Sequence, residues 1–175
     1  MKKLTTFLLF FCLILCSLNF KVKASYDENA ENDLFKQEYD VVQVFNNGNK
    51  DIYITDDDIY LMAQVVYAES RSEPYAGKVA VASVILNRVK DPKFPKTISG
   101  VITQKSAFSC VQNGKITVVP DESSYKAVLD ALKGNDPTEK AVFFYNPKIA
   151  TSKWMKNVKK DNIKTIGNHV FFVSK

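Results

Sequence analysis

Histidine and tryptophan occur once each, at His169 and Trp154, and cysteine three times, at Cys12, Cys16 and Cys110. One histidine, one cysteine outside the N-terminal apolar run and scattered acids offer no ligand spacing for a metal, so chemistry without metal or cofactor is expected. Cys12 and Cys16 lie inside that apolar run. Its removal leaves Cys110 alone, without a partner for an intramolecular disulfide, so a hydrophobic core must hold the fold. Basic segments interleaved with aromatics and a recognition-helix pattern are both missing, which argues against nucleic acid as a partner. There is no internal repeat, no low-complexity linker after residue 58, and no second run long and apolar enough to span a membrane.

What is present begins with an export signal. Lys2 and Lys3 precede an apolar run from Phe7 to Leu18, and Val22-Lys23-Ala24 supplies small residues where a signal peptidase reads. Residues 1–24 are expected to be a signal peptide cut after Ala24, and the alternative is an uncleaved anchor. The working part of the chain is thus expected outside the cytoplasm, at most peripheral to a membrane or cell wall. Residues 25–58 carry ten Asp/Glu against Lys36 and Lys50, whereas residues 59–175 carry eighteen Lys/Arg against nine Asp/Glu. An acidic, flexible leader (25–58) is therefore expected before a basic domain (59–175). Within the leader, Val41 to Phe45 suits a short strand and Asn46-Asn47-Gly48 a turn. The basic field suits an anionic wall polymer, and equally a lysine-rich surface that serves solubility.

In the domain, Asp56-Asp57-Asp58 opens a helix that runs to about Ser70. Ser72 is placed to cap a second helix over residues 74–89, with Pro74 in its first turn. A short helix follows over 97–103, capped by Thr97. Asn113-Gly114 marks a tight turn in a loop-like stretch. Asp121 or Ser123 starts another helix that Gly134 stops. Ala141–Tyr145 and His169–Val173 are β-branched and aromatic runs suited to adjacent strands. Helices first and strands last indicate a single α+β domain.

The chemistry concentrates at Glu69. Ile59, Met62, Val66 and Glu69 follow steps of three, four and three, one face of a helix. A carboxylate that ends an apolar stripe is costly to ionise, which raises its pKa and suits a general acid. The competing reading is an ordinary helix-end glutamate paired with Arg71 or Lys78. Glu73 is a second carboxylate near enough to consider for a two-carboxylate glycosidase; Tyr67 is a further candidate for positioning. A single-glutamate mechanism is equally coherent, with an internal sugar hydroxyl in place of water as the nucleophile. Cys110 with His169 forms a rival nucleophile–base pair of the kind used by cell-wall amidases and endopeptidases. Phe108, Tyr145 and Trp154 are candidates for stacking on sugar rings.

Taken together, Leu61-Met62-Ala63-Gln64-Val65-Val66-Tyr67-Ala68-Glu69-Ser70-Arg71-Ser72-Glu73-Pro74, then Gly77–Ala82 and Val84–Val89, resemble the opening of the SleB-type cell wall hydrolase family. The resemblance resumes at Phe94-Pro95, Ser99–Ile102 and Ala107-Phe108-Ser109. It ends with Tyr145-Asn146-Pro147, Thr151–Trp154 and Ile166–Phe171. It implies a core like lysozyme and the resuscitation-promoting factors, with short C-terminal strands. It also implies a peptidoglycan-cleaving enzyme of spore cortex or cell wall, often a lytic transglycosylase, with Glu69 as acid and then base at the MurNAc–GlcNAc bond. Peptidoglycan is the implied partner, and an accessory protein is compatible with the family. A non-catalytic peptidoglycan-binding protein is the rival from another class. Ser70 and Ser72 stand where alanine and glycine are common in the family, and only the acidic leader stands where the spore enzymes carry a separate peptidoglycan-binding domain.

Overall fold

A computed structural model describes residues 43–46 and 51–175. The expected signal peptide, most of the leader, and Asn47-Gly48 of the expected turn lie outside the described residues. The first two strands, β1 (Gln43–Asn46) and β2 (Asp51–Ile54), pair antiparallel with Gln43 opposite Ile54. Ile54 is 1% exposed and belongs to the main core. Thr55 then caps α1 (Asp56–Ser70) through a reciprocal capping box: its hydroxyl accepts from the Asp58 amide, and the Asp58 carboxylate accepts from the Thr55 amide, both at 3.2 Å. Three aspartates in the first turn face the positive end of the helix. The folded structure thus already begins inside the acidic stretch.

The central element is α2 (Tyr75–Lys90), whose residues from Gly77 to Leu86 are all buried. Its alanines and valines let neighbours approach on every side, and α1 and α4 (Glu122–Leu132) pack against it. Ser72 does not cap α2. The N-cap is Pro74, without a side-chain bond, because the helix starts later than Ser72 can reach. The cap of α1 is Thr55, one residue before the three aspartates that were expected to supply it, whereas the caps of α3 and α4 stand where the sequence placed them. Thr97 accepts from Gly100 N at the start of α3 (Ile98–Thr103), Asp121 accepts from Ser124 N at 2.7 Å, and Gly134 follows α4 with φ +97°.

Two cations are buried on α2. Lys78 donates to Asp121 at 3.4 Å and to Ser123 at 3.1 Å. Arg88 Nε donates to the Val142 carbonyl at 2.8 Å, with Phe94, Phe108 and Phe143 stacked around its guanidinium. Burial pushes Arg88 down to about 10, which still leaves it a cation at neutral pH.

The chain ends in a three-stranded antiparallel sheet: β3 (Phe143–Tyr145), then β4 (Lys160–Ile166) and β5 (His169–Ser174), in the order β3-β5-β4. The two aromatic strands are neighbours, and the register sets Phe143 against Phe172 and Phe144 against Phe171, each pair stacked at about 5.5 Å. Phe144 and Phe171 face the helical core, while Phe143 and Phe172 cover the opposite side. Neither β4 nor α5 (Lys153–Asn157) was legible in the sequence. β4 is a polar edge strand that alternates between half-buried and exposed positions, and a bulge at Asn162 (φ +47°) interrupts its register.

Candidate active site

Ile59, Met62 and Val66 are buried as their spacing implies, and Glu69 follows them, half-buried, in the last turn of α1. A carboxylate at the carbonyl end of a helix meets an unfavourable dipole. Donors from outside the helix offset it. Glu69 Oε1 accepts from the Ser109 amide at 3.1 Å, from Ser109 Oγ at 3.0 Å and from the Cys110 amide at 3.4 Å. Among the described residues, no hydrogen bond reaches Oε2. One oxygen is therefore fixed and the other is open. Neither Arg71 nor Lys78 pairs with Glu69, since Lys78 is committed to Asp121.

The segment that anchors Glu69 is itself anchored by Phe108. That ring is 4% exposed, wedged between Arg88 (5.0 Å) and Phe144 (6.3 Å). Phe108 thus has almost no surface left for a sugar, contrary to its expected stacking role. Burying it turns the amides of Ser109 and Cys110 toward Glu69. Gln64, buried on α1, donates to the carbonyls of Ile116 (3.3 Å) and Val118 (2.8 Å) and ties down the chain after Cys110. Sequence reasoning passed over both Ser109 and Gln64. The available signals were a glutamine inside an apolar helix face and a serine directly after a core phenylalanine.

Glu73 is bound to the β4–β5 hairpin. Its Oε2 accepts from the Asn168 amide at 2.8 Å, and its Oε1 from Asn168 Nδ2 at 3.1 Å. Its side chain is 6% exposed and lies 3.9 Å from His169 Nδ1, which is buried without a hydrogen-bond partner. Burial raises the Glu73 pKa, but the two Asn168 bonds, with His169 and Lys148 nearby, outweigh it and hold the carboxyl below its ordinary range. Burial lowers the His169 pKa against the pull of Glu73 and Glu69. Both depressed values act in the same direction. The unfolded chain takes up the His169 proton below pH 6.5 and the Glu73 proton below pH 4.5, before the folded chain does, so stability falls as the pH drops through these windows. Urea midpoints at pH 7, 5.5 and 4 should decline stepwise. His169→Gln should flatten the first step and Glu73→Gln the second; identical profiles in both variants would refute the assignment.

The rival nucleophile fares badly. Burial, with the negative charge of the adjacent Glu69, pushes the Cys110 thiol up to about 12, so it stays protonated at neutral pH. No direct bond joins it to His169, which packs edge-on against Phe144. Tyr67 is half-buried on α1 but makes no side-chain bond to Glu69. Tyr145 packs against Phe172 and Lys160, while Trp154 is 50% exposed with its edge on Phe143. The described residues contain no group of three or more His, Cys, Asp and Glu arranged to hold a metal.

The sequence profile of the cell wall hydrolases matches residues 72–172. This chain belongs to the cell wall hydrolase family. Among its relatives are the spore cortex-lytic enzymes of Bacillus cereus, 54% identical over 114 residues (65% of this chain, 43% of that protein), and of Halalkalibacterium halodurans, 52% identical over 117 residues (67% and 35%). The chain thus spans well under half the length of these relatives. It is also similar in structure to two catalytic domains, each at 49% identity and over 74% of this chain. One is that of the Bacillus cereus SleB protein (TM-score 0.63, 98% of that domain). The other is that of the germination-specific lytic transglycosylase SleB from Bacillus anthracis (TM-score 0.64, 100% of that domain). The fold is therefore that of the family's catalytic domains, as the resemblance implied, with the lysozyme-like helical core and the small C-terminal sheet. The profile match starts just after Glu69, so the role of Glu69 rests on its own geometry.

Proposed function

We propose that this cell wall hydrolase cuts the glycan strand of peptidoglycan between MurNAc and GlcNAc, as a lytic transglycosylase with Glu69 as its acid and base. The carrying observation is the asymmetry of Glu69: Oε1 is held by Ser109 and the Cys110 amide, and Oε2 is left open. A proton on Oε2 passes to the glycosidic oxygen as the C1–O bond of MurNAc breaks. The C6 hydroxyl of the same sugar then bonds to C1 and returns its proton to Glu69. This yields a 1,6-anhydro end and a free GlcNAc hydroxyl, and the enzyme is restored without water being consumed. Donors fixed on Oε1 hold the side chain in one rotamer through both transfers, which is the preorganisation such a step requires.

Glu73 enters this reading as a positioning residue, since its carboxylate is spent on Asn168. That leaves a single-carboxylate mechanism better supported than a two-carboxylate one. Trp154, half-exposed, keeps ring surface available for sugar contact, which the buried Phe108 does not. Export by the N-terminal signal would deliver the domain to the wall or spore envelope, and no described helix is long and apolar enough to cross a membrane. The test is mass spectrometry of muropeptides released from cortex and vegetative sacculi. Anhydro-muramic products support the proposal, a hydrolysed reducing end replaces the nucleophile with water, and bound but uncut glycan favours the binding-protein alternative.

A further inference from the structure

Arg88 is 4% exposed, yet among the described residues no carboxylate pairs with it. It donates through Nε to the Val142 carbonyl at 2.8 Å. The rest of its guanidinium meets aromatic rings, with Phe108 at 5.0 Å, Phe94 at 5.4 Å and Phe143 at 5.9 Å. An unpaired cation is costly to take out of water, and an apolar side chain of similar length would fill the same space without that cost. Core stability therefore does not account for an arginine at this position. What the guanidinium adds is direction, because a planar cation draws ring faces toward it and fixes how each ring is turned.

The nearest of these rings matters most. Phe108 begins a turn in which the Val111 amide donates to its carbonyl at 3.4 Å, so Ser109 and Cys110 are the central residues. Both central amides converge on Glu69 Oε1, a backbone seat for an anion. A turn that starts on Phe108 takes its tilt from where that ring is seated. The chain also enters the turn under strain: Ser106 lies at φ +61°, a costly conformation for a residue other than glycine. Such a conformation persists only where the surroundings over-determine it. The clamp of Phe108 between Arg88 and Phe144, two residues later, does so.

We propose that Arg88 is a positioning residue for glycan cleavage, acting through Phe108 to aim the Ser109 and Cys110 amides at Glu69. This rests on the reading of Glu69 as the acid and base. Arg88 forms no ion pair with Glu69, so it acts only through the turn. The donors on Oε1 set the direction in which Oε2 is presented, and Arg88 sets those donors. A misdirected proton donor slows the bond-breaking step and leaves substrate binding as it was.

The test replaces Arg88 with methionine, which keeps the length and apolar stem but loses the charged plane. On soluble glycan strands, Arg88→Met should lower kcat roughly tenfold, within the hundredfold that an ångström of misplacement can cost. KM should stay within about twofold. In NMR spectra the Ser109 and Cys110 amide signals should move part of the way toward their positions in Glu69→Ala, where the acceptor is missing. Amides of α4, which also packs on α2, should stay in place. Ser109→Ala should cost less in the Arg88→Met background than in the wild type, because both changes act on one anchor. Arg88→Lys, which keeps the cation but not the plane, should show the same pattern in milder form, and it decides alone if Arg88→Met does not fold. An unchanged kcat in the folded variant, a loss confined to KM, unmoved Ser109 and Cys110 amides, or losses that simply multiply with Ser109→Ala would overturn the proposal. Should the wild type cut no strand, the amide shifts still decide whether Arg88 sets the anchor, while the reading of Glu69 as acid and base falls separately.

Discussion

Glu69→Gln should lower glycan cleavage by roughly 10²–10⁴-fold, the range that one well-placed acid–base group contributes. The reason is specific to this geometry. The amide oxygen of glutamine can still accept from Ser109 and Cys110, so the side chain keeps its anchor. What it cannot do is carry a transferable proton at the position of Oε2. Thermal stability should consequently stay close to wild type while release of anhydro-muropeptides disappears. Ser109→Ala provides a graded comparison, since it removes only the hydroxyl donor and leaves both amides. Its loss in rate should be clearly smaller than that of Glu69→Gln. A folded Glu69→Gln protein that retained more than a tenth of wild-type turnover would remove Glu69 from the mechanism.

Gly167→Ala should cost about 3–4 kcal/mol of stability, the sum of a left-handed backbone and the displacement of Glu73. Gly167 opens the β4–β5 turn at φ +60°, where a non-glycine residue is strained. A Cβ there would overlap Glu73 Oε2 and stand 2.9 Å from Pro74 Cδ. The Glu73 carboxylate would have to leave Asn168 and the vicinity of His169, uncoupling the α1–α2 connection from the sheet. Gly114 and Gly134 supply the control, because both have positive φ but open space where a Cβ would go. Alanine at either site should cost only the backbone part, about 1–2 kcal/mol. For a domain of this size the larger change should lower Tm by roughly 10 °C. Equal melting shifts for Gly167→Ala and Gly114→Ala would show that Glu73 contributes nothing to holding the hairpin.

Much of this was written locally. The stripe Ile59, Met62, Val66 needs only the helical period to predict its burial, and the caps Thr97 and Asp121 act within three residues of themselves. The same holds for the turn at Asn113-Gly114. Ser72 failed as a cap because capping depends on where the helix actually begins, and that start lies beyond it. β4 escaped notice for a different reason. Lys160-Asp161-Asn162-Ile163-Lys164-Thr165-Ile166 has few apolar residues, since an edge strand gains its order from pairing with β5 and not from burying its own side chains.

The aromatic residues divide in the same manner. Composition alone could not separate Phe108, now under Arg88, from Trp154, half open to solvent, because both rings favour burial and both suit a sugar. Exposure separates them, and exposure is a property of the packed chain. Family membership, the four longer helices, the caps Thr97 and Asp121, and the placing of a carboxylate, Glu69, at the end of an apolar stripe were decided by sequence, because each depends on short-range periodicity or on motif order. Tertiary structure decided which oxygen of Glu69 is free, that Ser109 and Cys110 hold the other, that Glu73 clamps a hairpin, and that Cys110 is a protonated thiol. Those outcomes depend on groups forty to ninety-five residues apart being brought within about 3 Å, and no local pattern encodes such a meeting.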